Sequence, residues 1–398
     1  MKLSTLFSSI GIAIFLVCCV QKTSGDLPII DLTHNYPKKD IVLQDIADVE
    51  YISLNGKDAP LIGLVSIGYI SNDCYILHER GRNGGVFVIE KNGNIHHFNR
   101  LGNGSKEYLS ISHLTYDPVK REIYIYDRMG SNGILVYTES GTFVRTIPEL
   151  SQLAIEEIYD FDDQTLLAYF GFSRATPDND PNQMTPYVFL NKQTGEIVSR
   201  LPLNFPERIY NRRIIRIEGV GSMGIVVAST NTRKFGDDFF IAELSADTLY
   251  ILSQNHKLTP VLTRTPSVYN TKFIALSMGL KTDKFIHLCA YEYDMEAIEA
   301  AAKKEQPLPQ GRSEDYLFYP SSGEMIIPNF MNADWPSGKT SIGMDKVSMN
   351  EKNMSARIFH AETLVTALEK GELQGKLKEV TQTLAIDDNP VLMLVRFK

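Results

Sequence analysis

Residues able to do chemistry are few and scattered in this chain. The stretch GVGSMG, Gly219–Gly224, has the G-x-G-x-x-G spacing of a dinucleotide-binding turn. That chemistry needs a helix whose N-terminus meets the pyrophosphate. The residues that follow, IVVAST, have a strand pattern, so the glycines are read as a turn between strands. A second glycine-rich stretch, GNGSKEY at residues 102–108, also lies between apolar runs without a helix to follow, which rules out a phosphate cradle. Neither H-E-x-x-H nor G-x-S-x-G occurs. His96 and His97 are adjacent, and neighbours on a strand point to opposite faces, so they do not converge on one ion. Cys74 and Cys289 lie in strand-like runs, NDCYILHE and FIHLCAYEY, and read as small buried hydrophobes rather than a disulfide framework.

The elements that must position these residues repeat. VFVIEKNGNIHHFNRLG from Val86 matches ILVYTESGTFVRTIPEL from Ile134, with Gly93 and Gly141 at equivalent places. Upstream, CYILHER from Cys74 matches IYIYDRM from Ile123, and LIGLVSIGYI from Leu61 matches ISHLTYDP from Ile111. Fainter copies put Gly195, Ser245–Asp247 and Gly323 at the hairpin. A tight turn between twisted antiparallel strands favours a residue tolerant of positive φ. Four short strands per unit, at a period of about 50 residues, is the pattern of a β-propeller blade. Five units are clear. The sixth would combine the C-terminal NPVLMLVRFK with the N-terminal DIVLQDIADVEYISL, which closes the ring and removes two exposed edges. The reading is an all-β, six-bladed propeller of four-stranded blades over residues 41–398, after a signal segment (1–19) and a linker (20–40). Two short helical insertions interrupt it. DMEAIEAAAKKE starts with Asp294 as N-cap, and FHAETLVTALEKGEL ends at Gly371.

Composition narrows the partners. The 398 residues are 43% hydrophobic and carry a formal charge of −8, which suits a packed core and disfavours nucleic acid. The N-terminal run LFSSIGIAIFLVCCV is a signal h-region rather than a membrane span. Its end resembles a bacterial lipobox, with Cys19 as the acylated residue and Leu16 three positions before it. Cys18 is the alternative, and a plain signal peptide with two incidental cysteines is the other reading. The following VQKTSG has no acidic cluster, so the expected anchor is in the outer membrane facing the periplasm. Asp247-Thr248-Leu249 resembles a bacterial O-glycosylation acceptor, although a turn would also favour Asp there.

RLGNGSKEYLSISHLTYDPVKREIYIYDR, the hairpin VYTESGTF and the terminal DDNPVLMLVRFK together resemble the six-bladed propeller lipoproteins of Bacteroidetes-type bacteria. Members carry a G-x-G-P-x-E-Y loop; here Gly102, Gly104, Glu107 and Tyr108 match and Ser105 replaces the proline. The resemblance implies the fold and the address more than an activity. It puts ligands on the face with the blade-to-blade crossovers and the loops between second and third strands. Candidate residues at that channel mouth are Glu79, Arg80, Glu107, Tyr108, Asp127, Arg128, Asn231 and Glu292. For Glu107 and Tyr108, pinning the crossover is favoured over touching a ligand. Three enlarged loops, GFSRATPDNDPNQMTP, STNTRKFGDD and the segment from Tyr291 to about Asp315, would wall this face. The leading functional expectation is a cell-envelope propeller that binds a carbohydrate or protein ligand. The alternative is a metal-dependent hydrolase or lyase acting on carbohydrate-derived material, because lactonase-like propellers hold a divalent ion with scattered Glu, Asn and Asp. Glu79, Asp127, Asn231 and Glu292 would be its ligands, or else ordinary solvated loop residues.

Overall fold

The computed structural model describes residues 27–56, 59–79, 83–130, 133–148, 155–170, 185–203, 205–210, 212–217, 221–226, 232–270, 273–304, 306–309, 311–337 and 351–398. They form a six-bladed β-propeller. Blade one comprises Val65–Ile70, Cys74–Glu79, Gly85–Glu90 and Ile95–Asn99. Blade two comprises His113–Asp117, Glu122–Tyr126, Ile134–Thr138 and Phe143–Ile147. Blade three comprises Ile155–Asp160, Thr165–Phe170, Tyr187–Asn191 and Ile197–Arg200. Each is an antiparallel meander whose first strand lies innermost. The middle strands are buried on both faces, because neighbouring blades pack against both sides. The outer strands keep polar residues such as His96, His97 and Arg200. Gly93, Gly141, Gly195 and Gly323 close the outer hairpins of blades one, two, three and five, with φ of 89°, 76°, 75° and 73°. At Gly141 a side chain would also collide with the Phe98 ring of the preceding blade.

Blade four departs from the sequence reading. Its innermost strand is Thr232–Phe235, inside the stretch expected to be a long loop, followed by Asp238–Ile241, Thr248–Leu252 and Leu258–Thr265. The outer hairpin is therefore Ser253–Lys257, with His256 at φ 62°, and Ser245–Asp247 joins the second and third strands. Arg212–Ile217 and Gly221–Val226 pair with each other as a separate hairpin in the crossover into this blade. Arg233 and Lys234 give this strand the look of a solvated loop in the sequence. Both are buried, with Arg233 Nε donating to Met278 O (3.4 Å) and Lys234 Nζ to Asp160 O (2.9 Å).

Blade five comprises Phe273–Lys281, Ile286–Tyr293, Arg312–Tyr319 and Glu324–Met331. The helix Met295–Lys303 sits between its second and third strands, capped by Asp294, whose Oδ1 accepts from Ala297 N at 2.9 Å. Blade six joins both ends of the chain: Val391–Phe397 lies between Met354–Phe359 and Ala47–Ser53, antiparallel to both. Two helices, Ala361–Glu369 and Gly375–Thr381, precede its central strand, one more than the sequence suggested.

The segment read as a linker is partly strand. Ile29–Asp31 adds in parallel to the outer edge of blade four, and Lys38–Val42 to that of blade five. These additions satisfy edge N–H and C=O groups that water or another chain would otherwise take. A three-residue strand gives no periodicity to read in a sequence.

Candidate functional site

The two faces of the ring differ in their connections. One carries the blade-to-blade crossovers and the links between second and third strands. The other carries the outer hairpins and the links between first and second strands.

On the crossover face, the expected mouth residues act as struts. Glu107 Oε2 accepts from Gly104 N (2.8 Å), and a methyl group at Gly102 would overlap its carboxylate, so the glycines make room for it. Tyr108 is fully buried; its hydroxyl donates to Gly84 O (2.5 Å) and accepts from Arg100 N (3.1 Å). Burial pushes that hydroxyl up to about 12. Asp127 is also buried, accepting from Leu109 N (2.6 Å), Ser110 Oγ (3.0 Å) and Met129 N (3.0 Å). Glu79 Oε2 accepts from Gly85 N (2.9 Å). Arg128 is exposed beside them, its backbone N–H donating to Ser112 Oγ (3.0 Å). Glu292 is apart: it lines a pocket of about 250 Å³ between blade five and the N-terminal segment Leu32–Asn35. Arg80, Asn231, Cys18 and Cys19 lie outside the described residues.

The hairpin face holds a cavity of about 910 Å³ that sequence reasoning missed. Blades one, two and four supply its walls, with Tyr69, Tyr116, Arg121, Glu139 and Lys234 among the lining residues. Tyr69 and Tyr116 end the inner strands of blades one and two and meet edge to face at 4.8 Å. The Tyr116 hydroxyl donates to Glu139 Oε1, and Glu139 Oε2 also accepts from Arg121 Nε (2.9 Å). Arg121 sits at φ 54° in the turn between the first two strands of blade two, which turns its guanidinium onto Glu139. Cys74 also lines the cavity; burial raises its thiol to about 11, so it stays protonated and a poor nucleophile at neutral pH.

A short segment just before the strand Met354–Phe359 crosses this face. Glu351 Oε1 accepts from Asn72 N (3.2 Å) of blade one. Lys352 packs against Gly236 of blade four. Asn353 makes two hydrogen bonds with Asp283 of blade five, accepting from its N–H (2.9 Å) and donating to Oδ2 (2.7 Å). Three successive residues thus touch three blades, and two of them line the cavity.

Lys234, in the cavity lining, also belongs to a buried charge network. Lys192, 1% exposed along its side chain, donates to Asp117 Oδ2 (2.7 Å) and Asp160 Oδ1 (2.5 Å). Lys234 Nζ lies 3.5 Å from Asp160 Oδ2. Burial works against the Lys192 charge, but the two carboxylates more than offset it and hold its pKa above the ordinary value. Asp117 and Asp160 end the inner strands of blades two and three, and Lys234 lies on that of blade four, so the network ties three blades together at the channel. No sequence spacing marks this cluster, because its members are far apart in the chain and each looks solvent-exposed. Among the described residues no three His, Cys, Asp or Glu are placed to hold a metal ion. His113, on the inner strand of blade two, is lowered to about 4, chiefly by burial, and so is neutral at physiological pH.

The family described as "Domain of unknown function (DUF4934)" matches residues 27–396. No curated protein matches the sequence. A crystal structure of a protein from Bacteroides fragilis, described as exported, superposes with a TM-score of 0.62 at 15% identity, covering 94% of this chain and 100% of that one. A member of the DUF4221 family from Bacteroides vulgatus gives a TM-score of 0.44 at 9% identity, covering 73% and 90%.

Proposed function

The chain belongs to the DUF4934 family, and from that premise we propose that it is an exported, lipid-anchored propeller that binds a hydroxylated ligand of carbohydrate class in the hairpin-face cavity. The observation that carries this reading is the lining of that cavity. At about 910 Å³ it has room for a short saccharide. Its lining combines two tyrosine rings with carboxylates, ammonium groups, a guanidinium and an amide: Glu90, Glu139, Lys91, Lys234, Arg121 and Asn92. Hydroxyl groups both donate and accept, so they match a wall of mixed sign better than an anion or a cation would. The Arg121–Glu139 pair fixes one donor–acceptor unit in place before a ligand arrives, which lowers the ordering cost of binding. Export is supported by the N-terminal apolar run and by the description of the Bacteroides fragilis neighbour; Cys19, three residues after Leu16, is the residue for acylation.

The test is a panel of neutral oligosaccharides screened on the full chain by thermal shift and then titration calorimetry. A binder whose affinity falls at least about tenfold in Glu139→Gln and in Tyr116→Phe supports the reading. Saccharide binding that neither variant changes would move the site elsewhere, and no binding across the panel would remove the carbohydrate assignment. Mass spectrometry of the mature N-terminus, with Cys19→Ala as control, tests the anchor separately.

A further inference from the structure

The crossover face of blades six, one and two carries a set of exposed apolar side chains on loops fixed by polar contacts. Leu61, Leu64, Leu101, Leu109, Met129 and Ile386 are 38–77% exposed. The loops that bear them are linked in one series of contacts. Ile386 precedes Asn389, whose buried amide accepts from Ile62 N (2.7 Å) and donates to Pro60 O (2.9 Å), which fixes the loop bearing Leu61. Gly63, beside Leu64, abuts Glu79, and Glu79 holds Gly85. Gly84 abuts Leu101 and accepts from Tyr108, the residue before Leu109. Leu109 and Met129 are both hydrogen-bonded through their backbone N–H groups to Asp127. Scattered exposed leucines are ordinary, but a connected set mounted on buried pins is the construction of an interface.

We propose that this surface pairs two copies of the chain about a two-fold axis. Charge placement selects the occupant. Asp387 and Asp388 follow Ile386 at the blade-six end, whereas Arg128 precedes Met129 at the blade-two end. A two-fold axis through the middle of the series, between Leu64 and Leu101, lays the acidic end of one copy on the basic end of the other and the leucines between them. Such a surface is self-complementary, as an isologous contact must be. It also leaves the hairpin-face cavities on opposite outer ends of the pair, both open to ligand.

Sedimentation velocity of the full processed chain in density-matched detergent, from about 1 to about 100 μM, reads the association. A monomer–dimer equilibrium is expected. Leu61→Glu with Leu64→Glu should weaken it at least about 100-fold while leaving the melting temperature unchanged, because both side chains are exposed. Asp387→Arg alone should weaken it about tenfold, and Asp387→Arg combined with Arg128→Asp should restore it, because each swapped end then meets its swapped partner. A monomer throughout the range, a dimer indifferent to the leucine pair, or a charge swap without rescue would each overturn the proposal. A monomer that binds vesicles through the same leucines would assign the surface to lipid instead.

Discussion

Tyr108 is placed to pin a turn, the role favoured for it in the sequence. Its hydroxyl bridges Gly84 O and Arg100 N, and its ring meets Tyr137 edge to face. Tyr108→Phe should cost about 1–3 kcal/mol, since a buried carbonyl and a part-buried N–H lose their partner. Glu107→Ala, at a more exposed turn, should cost about 0.5–1 kcal/mol. Urea unfolding of both variants checks the ranking, and an unchanged midpoint for Tyr108→Phe would contradict the pinning role. Glu157, on the inner strand of blade three, carries a different signature. Burial raises its carboxyl to about 7, Tyr159 and Arg233 only partly offsetting this. A raised acid binds its proton more tightly in the folded chain than in the unfolded one between pH of about 4.5 and about 7. Stability contributed by this group is therefore greatest at acidic pH and lost as pH rises through that window. Glu157→Gln should leave stability near pH 4 almost unchanged and raise it at pH 8 by about 3 kcal/mol. Melting temperatures across pH would show the two curves diverging upward from acid; parallel curves would mean Glu157 is not the titrating group.

At the scale of elements, the legible parts are those whose period is strong. The hairpin glycines of four blades and both helix ends, Asp294 and Gly371, follow from local chain geometry, which a sequence records directly. Thr232–Phe235 escaped because its buried cations are satisfied by partners in distant strands, information that no local window holds. The cavity escaped for the same reason, since Tyr69, Tyr116 and Lys234 meet only when the ring closes. The N-terminal strand Ile29–Asp31 is the sharpest contrast between a linker and an element. Ile30 is 1% exposed and joins the main core, so Ile30→Ala should cost about 2–4 kcal/mol. A residue in a true linker would change stability by less than about 0.5 kcal/mol. Chemical denaturation separates these outcomes cleanly.

For the whole molecule, closure of the ring decides whether six small sheets behave as one body. The central strand of blade six comes from the C-terminus and one of its neighbours from the N-terminus, with Val391 opposite Ser53 and Phe397 opposite Ala47. Arg396 adds an ion pair to Glu50 at 2.8 Å, but both are exposed and the strength of the seam lies in its apolar residues. Leu392, Met393 and Leu394 are fully buried there. If the seam holds the ring, weakening it should lower the stability of every blade together. Leu394→Ala should cost about 2–5 kcal/mol. Two probes at different places then report on cooperativity. Trp335, the chain's single tryptophan, packs 5.9 Å from Phe359 of blade six, so its fluorescence follows the seam. Far-UV circular dichroism follows all the blades. In a cooperative ring the two transitions coincide in the parent chain and shift together in the variant. Loss of the tryptophan signal ahead of the dichroism would mean that blade six opens alone, and that the other five sheets stand without the closure.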